Sequence, residues 1–537
     1  MKRKKFFLVM LLLLAIVVSL MWFSEWRSFL RPVGSYVILV ETTIHDLTKL
    51  SKTEQSVPRL GYSVANSRAV RPDRILPDTR HTGCGSPHEK LEHLPPTSLV
   101  ITSSATERST FARTLVSALS KAKSVRIFDV AIVFDGSYDA KIGEILSGLQ
   151  GVRIIINRDR KGRAMARMQG IAATKGEIIV LIEDLSEMNM DWLSPLILRL
   201  MESPKSLVTP VYDVVDHLTF QYSSLPELYR VGFDWSLQYR WEGVPFSYQV
   251  RPDPTSIFRS PVTTGSVIAM RRDFFTWLGQ YDTTTWARDL EDMDLSLRAW
   301  LCGGQVEIIP CSRVGIINIK GGELGISPVS FNNYLRSARR IAEIWLDDYK
   351  RFFYAVRPSA RMQPIADISI LRKLKEKLKC RSFKWYLTSI YPQLQPLVSD
   401  EVAFGYIRQG ANCLDIDPGQ LPLVAKLRTC EPGKDSQEWS WRKTGSIVSN
   451  GMCLTSDLMN MQRFVVVQFC KDMRNQAWYR HNEKIVHLDT NLCLDGQQGD
   501  TGLLIADCIK ADLSQAWAIT NEAQTELEYF NSDTANL

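Results

Sequence analysis

The sequence predicts an α/β domain with a mostly parallel sheet, followed by a smaller domain built from three repeats. From Ser98 onward, apolar runs alternate with segments of helical periodicity, as expected for strands buried on both faces and for the helices that connect them. In the last quarter of the chain, Gln-x-Trp occurs at 437–439, 476–478 and 515–517, at intervals of 39 residues. Such repeats are too small to bury a face alone, so we expect them to share one core.

The α/β domain is predicted to begin as strand, helix, strand, strand, helix, strand. The predicted strands cover residues 98–102, 128–134, 152–157 and 177–182, and the predicted helices cover residues 109–121 and 164–174. Ligands of such sheets bind beyond the carboxyl ends of the strands. We therefore expect Thr102, Asp135, Glu183 and Asp184 to lie at one mouth of the domain.

Length and composition are those of a globular protein with room for about three domains. The chain has 537 residues, of which 45% are hydrophobic and 23% charged, and its net charge is +7. Outside Lys2–Lys5 the positive charge forms no dense block, so nucleic acid is not an expected partner.

The N-terminus is predicted to be a signal anchor. Lys2–Lys5 precede an uncharged run, Phe6–Phe23, which as a helix would be about 27 Å long, close to the thickness of an endoplasmic reticulum bilayer. Positive charge before the span favours a cytoplasmic N-terminus (residues 1–5), the type II orientation. The alternative is a cleaved signal peptide, whose apolar region is usually shorter and ends at small residues. Met21–Trp26 has no such site.

Residues 24–70 are predicted to be a stem that spaces the globular part from the membrane. This segment has little apolar periodicity and contains scattered Pro, Arg and Asp. The alternative is that part of it packs on the first domain.

Ten cysteines in a lumenal chain predict disulfides. Each Gln-x-Trp is preceded by two cysteines, and the pairs are Cys413/Cys430, Cys453/Cys470 and Cys493/Cys508. With its three equally spaced repeats, this region resembles the ricin-type β-trefoil lectin module. The resemblance implies an all-β β-trefoil over residues 400–522, with the tryptophans in its core and a C-terminal tail over residues 523–537. Each disulfide would close a loop of about 15–18 residues, a stabilisation on the order of 3 kcal/mol.

Three segments in the middle of the chain resemble the catalytic domain of the polypeptide N-acetylgalactosaminyltransferases. They are FDWSLQYRW at 233–241, SLRAWLCGG at 296–304 and VEIIPCSRVG at 306–315. That family transfers GalNAc from UDP-GalNAc to Ser or Thr of secretory proteins. The resemblance implies a GT-A glycosyltransferase domain over residues 71–390 in the Golgi lumen. It also implies the disulfides Cys84–Cys311 and Cys302–Cys380.

The resemblance further implies a Mn²⁺ site with one Asp and two His ligands. In this chain Glu183 stands at the Asp position, while Leu185 and Ile316 stand at the two His positions. Aliphatic side chains have no lone pair to offer. Glu183 alone would hold a divalent cation weakly, and Asp184 could help if the strand end shifts by one residue. We therefore expect a family-type Mn²⁺ site to be missing.

Other donor-side positions are mixed. By resemblance, the residues that face the donor or act in catalysis are Thr102 and Asp135 for the uridine, Arg160 and Arg167 for the diphosphate, and Glu291 with Glu183 as the catalytic carboxylates. Departures from the family pattern lie at residues 103–106, 134, 288–290, 292 and 320–325. The simpler alternative is that the carboxylates are solvated loop groups and the arginines ordinary surface charges.

The lectin sites are also uneven. By resemblance, a competent repeat has an Asp in Cys-Leu-Asp and an Asn before Gln-x-Trp. Repeats one and three have the Asp (Asp415 and Asp495) but not the Asn, and repeat two has Asn475 but Thr455 in place of the Asp. Sugar binding at Asp415 or Asp495 is the functional hypothesis, and a purely structural trefoil is the alternative.

The sequence leaves three functions open. The first is a Golgi membrane protein of mucin-type O-glycosylation with weak or absent turnover, a divergent or regulatory member with an active family member as a candidate partner. The second is an active O-glycosyltransferase with a rearranged or metal-independent site. The third is a non-catalytic protein that binds glycans or peptides. Expected ligands are UDP-GalNAc and Mn²⁺ if the chain turns over, and secretory Ser/Thr-rich polypeptides or O-glycans.

Overall fold

The computed structural model describes most of the chain between residues 37 and 522. The described ranges are 37, 39–53, 61–85, 94–104, 107–122, 125–136, 138–225, 228–245, 253–263, 265–284, 290–318, 328–394, 401–417, 423–431, 434–449, 452–457, 463–471, 474–497 and 502–522. The predicted anchor (residues 6–23) and C-terminal tail lie outside them. Within these ranges, no helix has the length and apolar character needed to span a bilayer.

The first domain contains twelve strands and twelve α-helices among the described residues. Its strands are β1 Thr97–Ser103, β2 Ile127–Asp135, β3 Val152–Asn157, β4 Ile178–Glu183, β5 Ser186–Met188, β6 Ser206–Asp216, β7 Tyr222–Ser223, β8 Tyr229–Phe233, β9 Tyr239–Gly243, β10 Phe258–Arg259, β11 Val267–Arg271 and β12 Gln305–Asn318. Its helices are α1 Glu41–Ser51, α2 Val64–Ala69, α3 Arg108–Ser120, α4 Ala140–Ser147, α5 Arg163–Ala173, α6 Ser194–Glu202, α7 Arg272–Trp277, α8 Leu290–Leu301, α9 Pro328–Trp345, α10 Lys350–Val356, α11 Ser369–Lys377 and α12 Phe383–Ser389.

One mixed sheet forms the centre of this domain, with strand order β10-β12-β6-β11-β4-β1-β2-β3. The four strands predicted from the sequence, β1 to β4, are parallel to one another. Strand β11 inserts antiparallel beside β4, and β6 and β12 are parallel to each other. The predicted parallel arrangement of β1 to β4 is therefore confirmed. The antiparallel strand β11 beside β4 was not predicted from the sequence.

Successive strand residues face opposite layers of the core, which explains the near-continuous apolar runs. Leu99 and Ile101 pack with helix α3 on one face, while Val100 packs on the other face with helices α5 and α8. All three side chains are fully buried. Because both faces of these strands are covered, the strand ends are where ligands are expected to bind.

The segment predicted as a stem packs in part on the sheet domain. Leu47 and Leu50 of α1 are buried in the same core layer as α3. In α2, Ser67 contacts the Ser109 hydroxyl at 2.5 Å and Arg68 pairs with Glu107 at 3.1 Å. For residues 39–53 and 61–70 the packed alternative therefore replaces the spacer interpretation. The helical spacing of apolar residues in α1 was missed because only one narrow face of this helix is buried.

Five disulfides join the pairs given by the motif spacing and the family resemblance. They are Cys84–Cys311, Cys302–Cys380, Cys413–Cys430, Cys453–Cys470 and Cys493–Cys508. The Cys84–Cys311 bond spans 227 residues and ties the segment before β1 to β12.

The C-terminal domain is a β-trefoil. Its strands are β13 Glu401–Gln409, β14 Asn412–Asp417, β15 Leu423–Thr429, β16 Trp439–Arg442, β17 Ile447–Ser449, β18 Met452–Asp457, β19 Phe464–Phe469, β20 Trp478–His481, β21 Lys484–His487, β22 Cys493–Asp495, β23 Leu504–Ala506 and β24 Ala518–Glu522. Trp439, Trp478 and Trp517 are buried in one shared core. Each indole donates a hydrogen bond of 2.9 Å to the carbonyl of the Leu in Cys-Leu-Asp/Thr, so the three repeats are structurally equivalent.

The two domains contact each other through a 3₁₀ helix, Pro358–Met362. The Ser359 hydroxyl donates to Glu438, and the Arg361 guanidinium lies 4.4 Å from the centre of the Phe404 ring. These contacts join the sheet domain to strand β13 and the first repeat.

Candidate functional site

The carboxyl ends of β1, β2 and β4 form one mouth, as the sequence predicts. Thr102 is the register partner of Glu183, and the Asp184 amide donates to the Thr102 carbonyl at 3.2 Å. The Ser103 hydroxyl donates to the Asp184 carboxylate. The mouth therefore collects the polar residues that the strand pattern predicts.

Arg163, which the sequence analysis did not single out, lies at the centre of this mouth. Its guanidinium donates from Nη1 to Glu183, from Nε to Glu291 and from Nη2 to Asp292, the last at 2.6 Å. Glu183 ends β4, and the other two carboxylates lie in the first turn of α8. The Arg163 side chain is only 9% exposed. One arginine thus joins three carboxylates from two elements.

Arg167 supports the same cluster one helical turn later. It is fully buried, and its Nη1 donates to both Asp292 oxygens at 2.7 and 2.9 Å. The Tyr281 hydroxyl also donates to Asp292, at 2.7 Å. Burial is the largest single effect and works to lower the pKa of Arg167, but Asp292, Tyr281 and Glu183 together outweigh it and the net shift is upward. Arg167 therefore stays charged, and the surface-charge alternative is wrong for it.

Glycine is needed where this cluster meets the bend that precedes β11. Gly265 has φ +75°, and a Cβ there would approach Asp292 Oδ2 to 1.8 Å. Its carbonyl accepts a hydrogen bond from Arg167. The close approach fixes the position of the Asp292 carboxylate.

Asp135 and Arg160 are engaged with the protein itself. The Asp135 carboxylate accepts from the backbone amides of Lys161 and Gly162 at 2.8 and 2.9 Å and from the side-chain amide of Asn157 at 3.0 Å. Arg160 donates to the Ser104 carbonyl at 2.7 Å. Asp135 therefore positions the loop that starts α5, a role that the sequence did not predict.

Leu185 and Ile316, the two positions where the resemblance implies imidazoles, are neighbours along the backbone, but their side chains pack in two different apolar clusters. Ile316 is the register partner of Ser186, and the Ile317 amide donates to the Leu185 carbonyl at 3.3 Å. Leu185 packs with Phe220 and Tyr222, and Ile316 packs against the sheet core. Both side chains thus lie in apolar surroundings at the edge of the mouth.

This set of side chains does not fit a family-type Mn²⁺ site. Leu185 and Ile316 supply no electron pair, and the Glu183 carboxylate is bound by Arg163. Among the described residues, no group of three or more His, Cys, Asp or Glu is arranged to hold a metal ion. Residues 105–106, 288–289 and 320–325, where the sequence also departs from the family pattern, lie outside the described ranges.

Sequence reasoning missed Arg163 and the role of Asp292, although a signal was present. Arg163 is the first residue of α5, where the helix dipole disfavours a positive charge. An arginine at that position indicates a nearby cluster of carboxylates. Which carboxylates would meet it could not be read from the sequence, because α8 lies far along the chain.

In the trefoil, Asp415 and Asp495 occupy equivalent positions and bind the glutamine of their own repeat. Gln437 donates to Asp415 at 3.0 Å and Gln515 donates to Asp495 at 3.1 Å. Lys434 lies 2.9 Å from Asp415. Both Asp side chains are nearly inaccessible to solvent. These contacts give both residues a structural role, and sugar binding at either of them stays a prediction.

Fold and site together define a glycosyltransferase of GT-A architecture that carries a C-terminal ricin-type lectin domain. The Glycosyl transferase family 2 profile matches residues 99–276, and the Ricin-type beta-trefoil lectin domain profile matches residues 403–517.

The chain is 33% identical over 470 residues to polypeptide N-acetylgalactosaminyltransferase 14 of Homo sapiens, covering 85% of each chain. It is 32% identical over 483 residues to polypeptide N-acetylgalactosaminyltransferase 16 of Mus musculus, covering 88% of this chain and 86% of the relative. The solved structure of GalNAc-T7 with UDP, GalNAc and Mn²⁺ superimposes with a TM-score of 0.76 at 25% identity, over 91% of this chain and 92% of that one. The chain belongs to the polypeptide N-acetylgalactosaminyltransferase family.

Proposed function

We propose that this chain is a Golgi membrane protein that belongs to mucin-type O-glycosylation and has its site in the lumen. Its metal-dependent transfer of GalNAc from UDP-GalNAc to Ser or Thr is weak or absent. One observation carries the proposal. The two positions at which imidazoles are expected hold Leu185 and Ile316, while the remaining carboxylate, Glu183, is bound by Arg163.

Charge at the mouth supports weak donor binding. When ionised, Glu183, Glu291 and Asp292 contribute three negative charges, against two positive charges from Arg163 and Arg167. The cluster is therefore net negative, and it would repel a nucleotide diphosphate at short range. In an active site of this kind, a bound metal neutralises the leaving diphosphate.

The cost of losing such stabilisation is large. Removing a single group that stabilises developing charge in a transition state typically slows an enzyme by about 10²–10³-fold. With the cation site altered at two of its three positions, we expect transfer about 10³-fold or more below that of an active relative.

A second candidate function, metal-independent transfer, is favoured by one observation. Arg163 lies beside the family carboxylate Glu291, and Arg167 lies one turn away. If the donor displaced the carboxylates from Arg163, a guanidinium would face the diphosphate. Titration calorimetry with UDP separates the two functions, because tight binding without Mn²⁺ is expected only of the second.

Transfer itself is tested with the full-length chain in detergent, UDP-GalNAc and a Ser/Thr-rich peptide library. Parallel reactions contain Mn²⁺ or EDTA, and human polypeptide N-acetylgalactosaminyltransferase 14 is the positive control. We expect incorporation near the blank under both conditions. Incorporation that Glu183→Gln abolishes would overturn the proposal.

A further inference from the structure

Arg163 and its three carboxylates form a closed charged cluster in the place where the family resemblance implies a divalent cation. We propose that Arg163 is an internal counter-ion, which holds Glu183, Glu291 and Asp292 together so that the mouth keeps its shape without a metal. This inference rests on the proposed lack of a family-type metal site. It assigns to Arg163 a positioning role.

Geometry supports an electrostatic role rather than a helix-stabilising one. Arg163 begins α5, after Gly162 with φ +88°, so its backbone lies at the positive end of the helix dipole. The carboxylates that it joins are almost entirely buried, with Glu291 at 1% and Asp292 at 0% side-chain exposure. Buried carboxylates without a cation are strongly destabilising, so the cluster needs the guanidinium.

Arg163 and Arg167 contact different carboxylates, which shows why Arg167 cannot replace Arg163. Arg167 binds both oxygens of Asp292, but its nearest contact with Glu183 is 3.9 Å. Arg163 donates to all three carboxylates, and a planar guanidinium is suited to such divergent contacts.

Removal of Arg163 leaves a defined charge imbalance. Three carboxylates then face one guanidinium, so the cluster changes from net −1 to net −2. That charge and an all-oxygen set of side chains suit a hard divalent cation. We therefore expect Arg163→Met to become dependent on added Mn²⁺ or Mg²⁺, although the parent chain is not.

The experiment measures thermal unfolding of the full-length protein in detergent, with EDTA and with increasing MnCl₂. In EDTA, we expect Arg163→Met to melt about 5–10 °C below the parent. Saturating Mn²⁺ should recover about 5 °C of that loss and should leave the parent unchanged. Arg160→Met is the matched control, because its guanidinium contacts the Ser104 carbonyl, and it should show no dependence on Mn²⁺.

Electron paramagnetic resonance of Mn²⁺ supplies a second readout, in which bound Mn²⁺ disappears from the free-ion signal for Arg163→Met only. A folded Arg163→Met protein that neither binds Mn²⁺ nor loses stability would overturn the inference. So would equal binding of Mn²⁺ by the parent.

A second variant keeps the inference testable if Arg163→Met does not fold. Glu291→Gln should destabilise the parent, because it removes a partner of Arg163, but it should stabilise the Arg163→Met background, because it removes repulsion. Failure of the double variant to recover folding overturns the counter-ion role. GalNAc transfer by the parent in EDTA would instead favour the metal-independent function over the proposed one and leave this inference standing.

Discussion

The amide of Ile317 donates a hydrogen bond of 3.3 Å to the carbonyl of Leu185. This bond fixes the turn between β4 and β5, in which Leu185 has φ +83°. A left-handed conformation is unfavourable for leucine by roughly 1–2 kcal/mol, and it persists only where surrounding structure imposes it. The backbone at this position therefore keeps a strained geometry beside Ile316 although the side chain binds no metal.

Because positions 185 and 316 are neighbours along the backbone and match the histidine positions of the family, we predict that a metal site can be restored. We expect Leu185→His with Ile316→His to raise the affinity for Mn²⁺ by about tenfold or more, because two nitrogen ligands are added beside Glu183. Adding Arg163→Met should raise it further by releasing that carboxylate. Calorimetric titration with MnCl₂ measures the change.

The matched control for this prediction is Leu185→Gln with Ile316→Gln, which adds polarity without imidazole and should bind no better than the parent. Unchanged affinity in the histidine variant would mean that positions 185 and 316 are not the ligand positions.

Asp415 is predicted to act in trefoil stability. Its replacement by Ala removes the acceptor of the buried Gln437 amide and should cost about 1–3 kcal/mol of unfolding free energy. Denaturant unfolding followed by tryptophan fluorescence measures the loss. Asp489→Ala, at a half-exposed position 3.9 Å from Arg474, should change stability by less than about 0.5 kcal/mol. A stable Asp415→Ala variant that loses binding to GalNAc would instead favour a sugar-binding role.

Lys121 is predicted to reduce stability at neutral pH. Burial lowers the pKa of Lys121 to about 8, and its Nζ has no hydrogen-bond partner among the described residues. Below pH 8 the charged form is buried at full cost, and between about pH 8 and 10.5 that cost disappears as the folded protein releases the proton first. Lys121→Met should therefore stabilise the protein by about 2–3 kcal/mol at pH 7 and by little near pH 10.5.

Thermal unfolding of the Lys121→Met variant and the parent across this pH range measures the difference. The exposed Lys141→Met is the control and should have no such pH profile. A gain for Lys121→Met that grows with pH would contradict the burial argument.

The N-terminal segment predicts membrane retention. Replacing residues 1–23 with a cleavable secretion signal should release the protein into the medium, whereas the full-length chain should sediment with Golgi membranes. Secretion of the unmodified chain would support the signal-peptide alternative.

The sequence predicts the parallel half of the sheet and the three trefoil repeats because these depend on local periodicity and repeated motifs. The packing of α1 on the sheet domain depends on contacts distant in sequence. At the site, Thr102, Asp135 and Glu183 could be placed at one mouth from the strand ends alone. The pairing of Arg163 with Glu291 could not be predicted, since it joins residues 128 positions apart.

The decisive experiment asks whether protein side chains hold a divalent cation at this donor mouth. It uses crystals soaked with MnCl₂ and UDP and measured near the manganese absorption edge. We expect no anomalous peak coordinated by Glu183, with Arg163 still in contact with that carboxylate. A manganese peak bound by Glu183 or Asp184 would contradict this expectation.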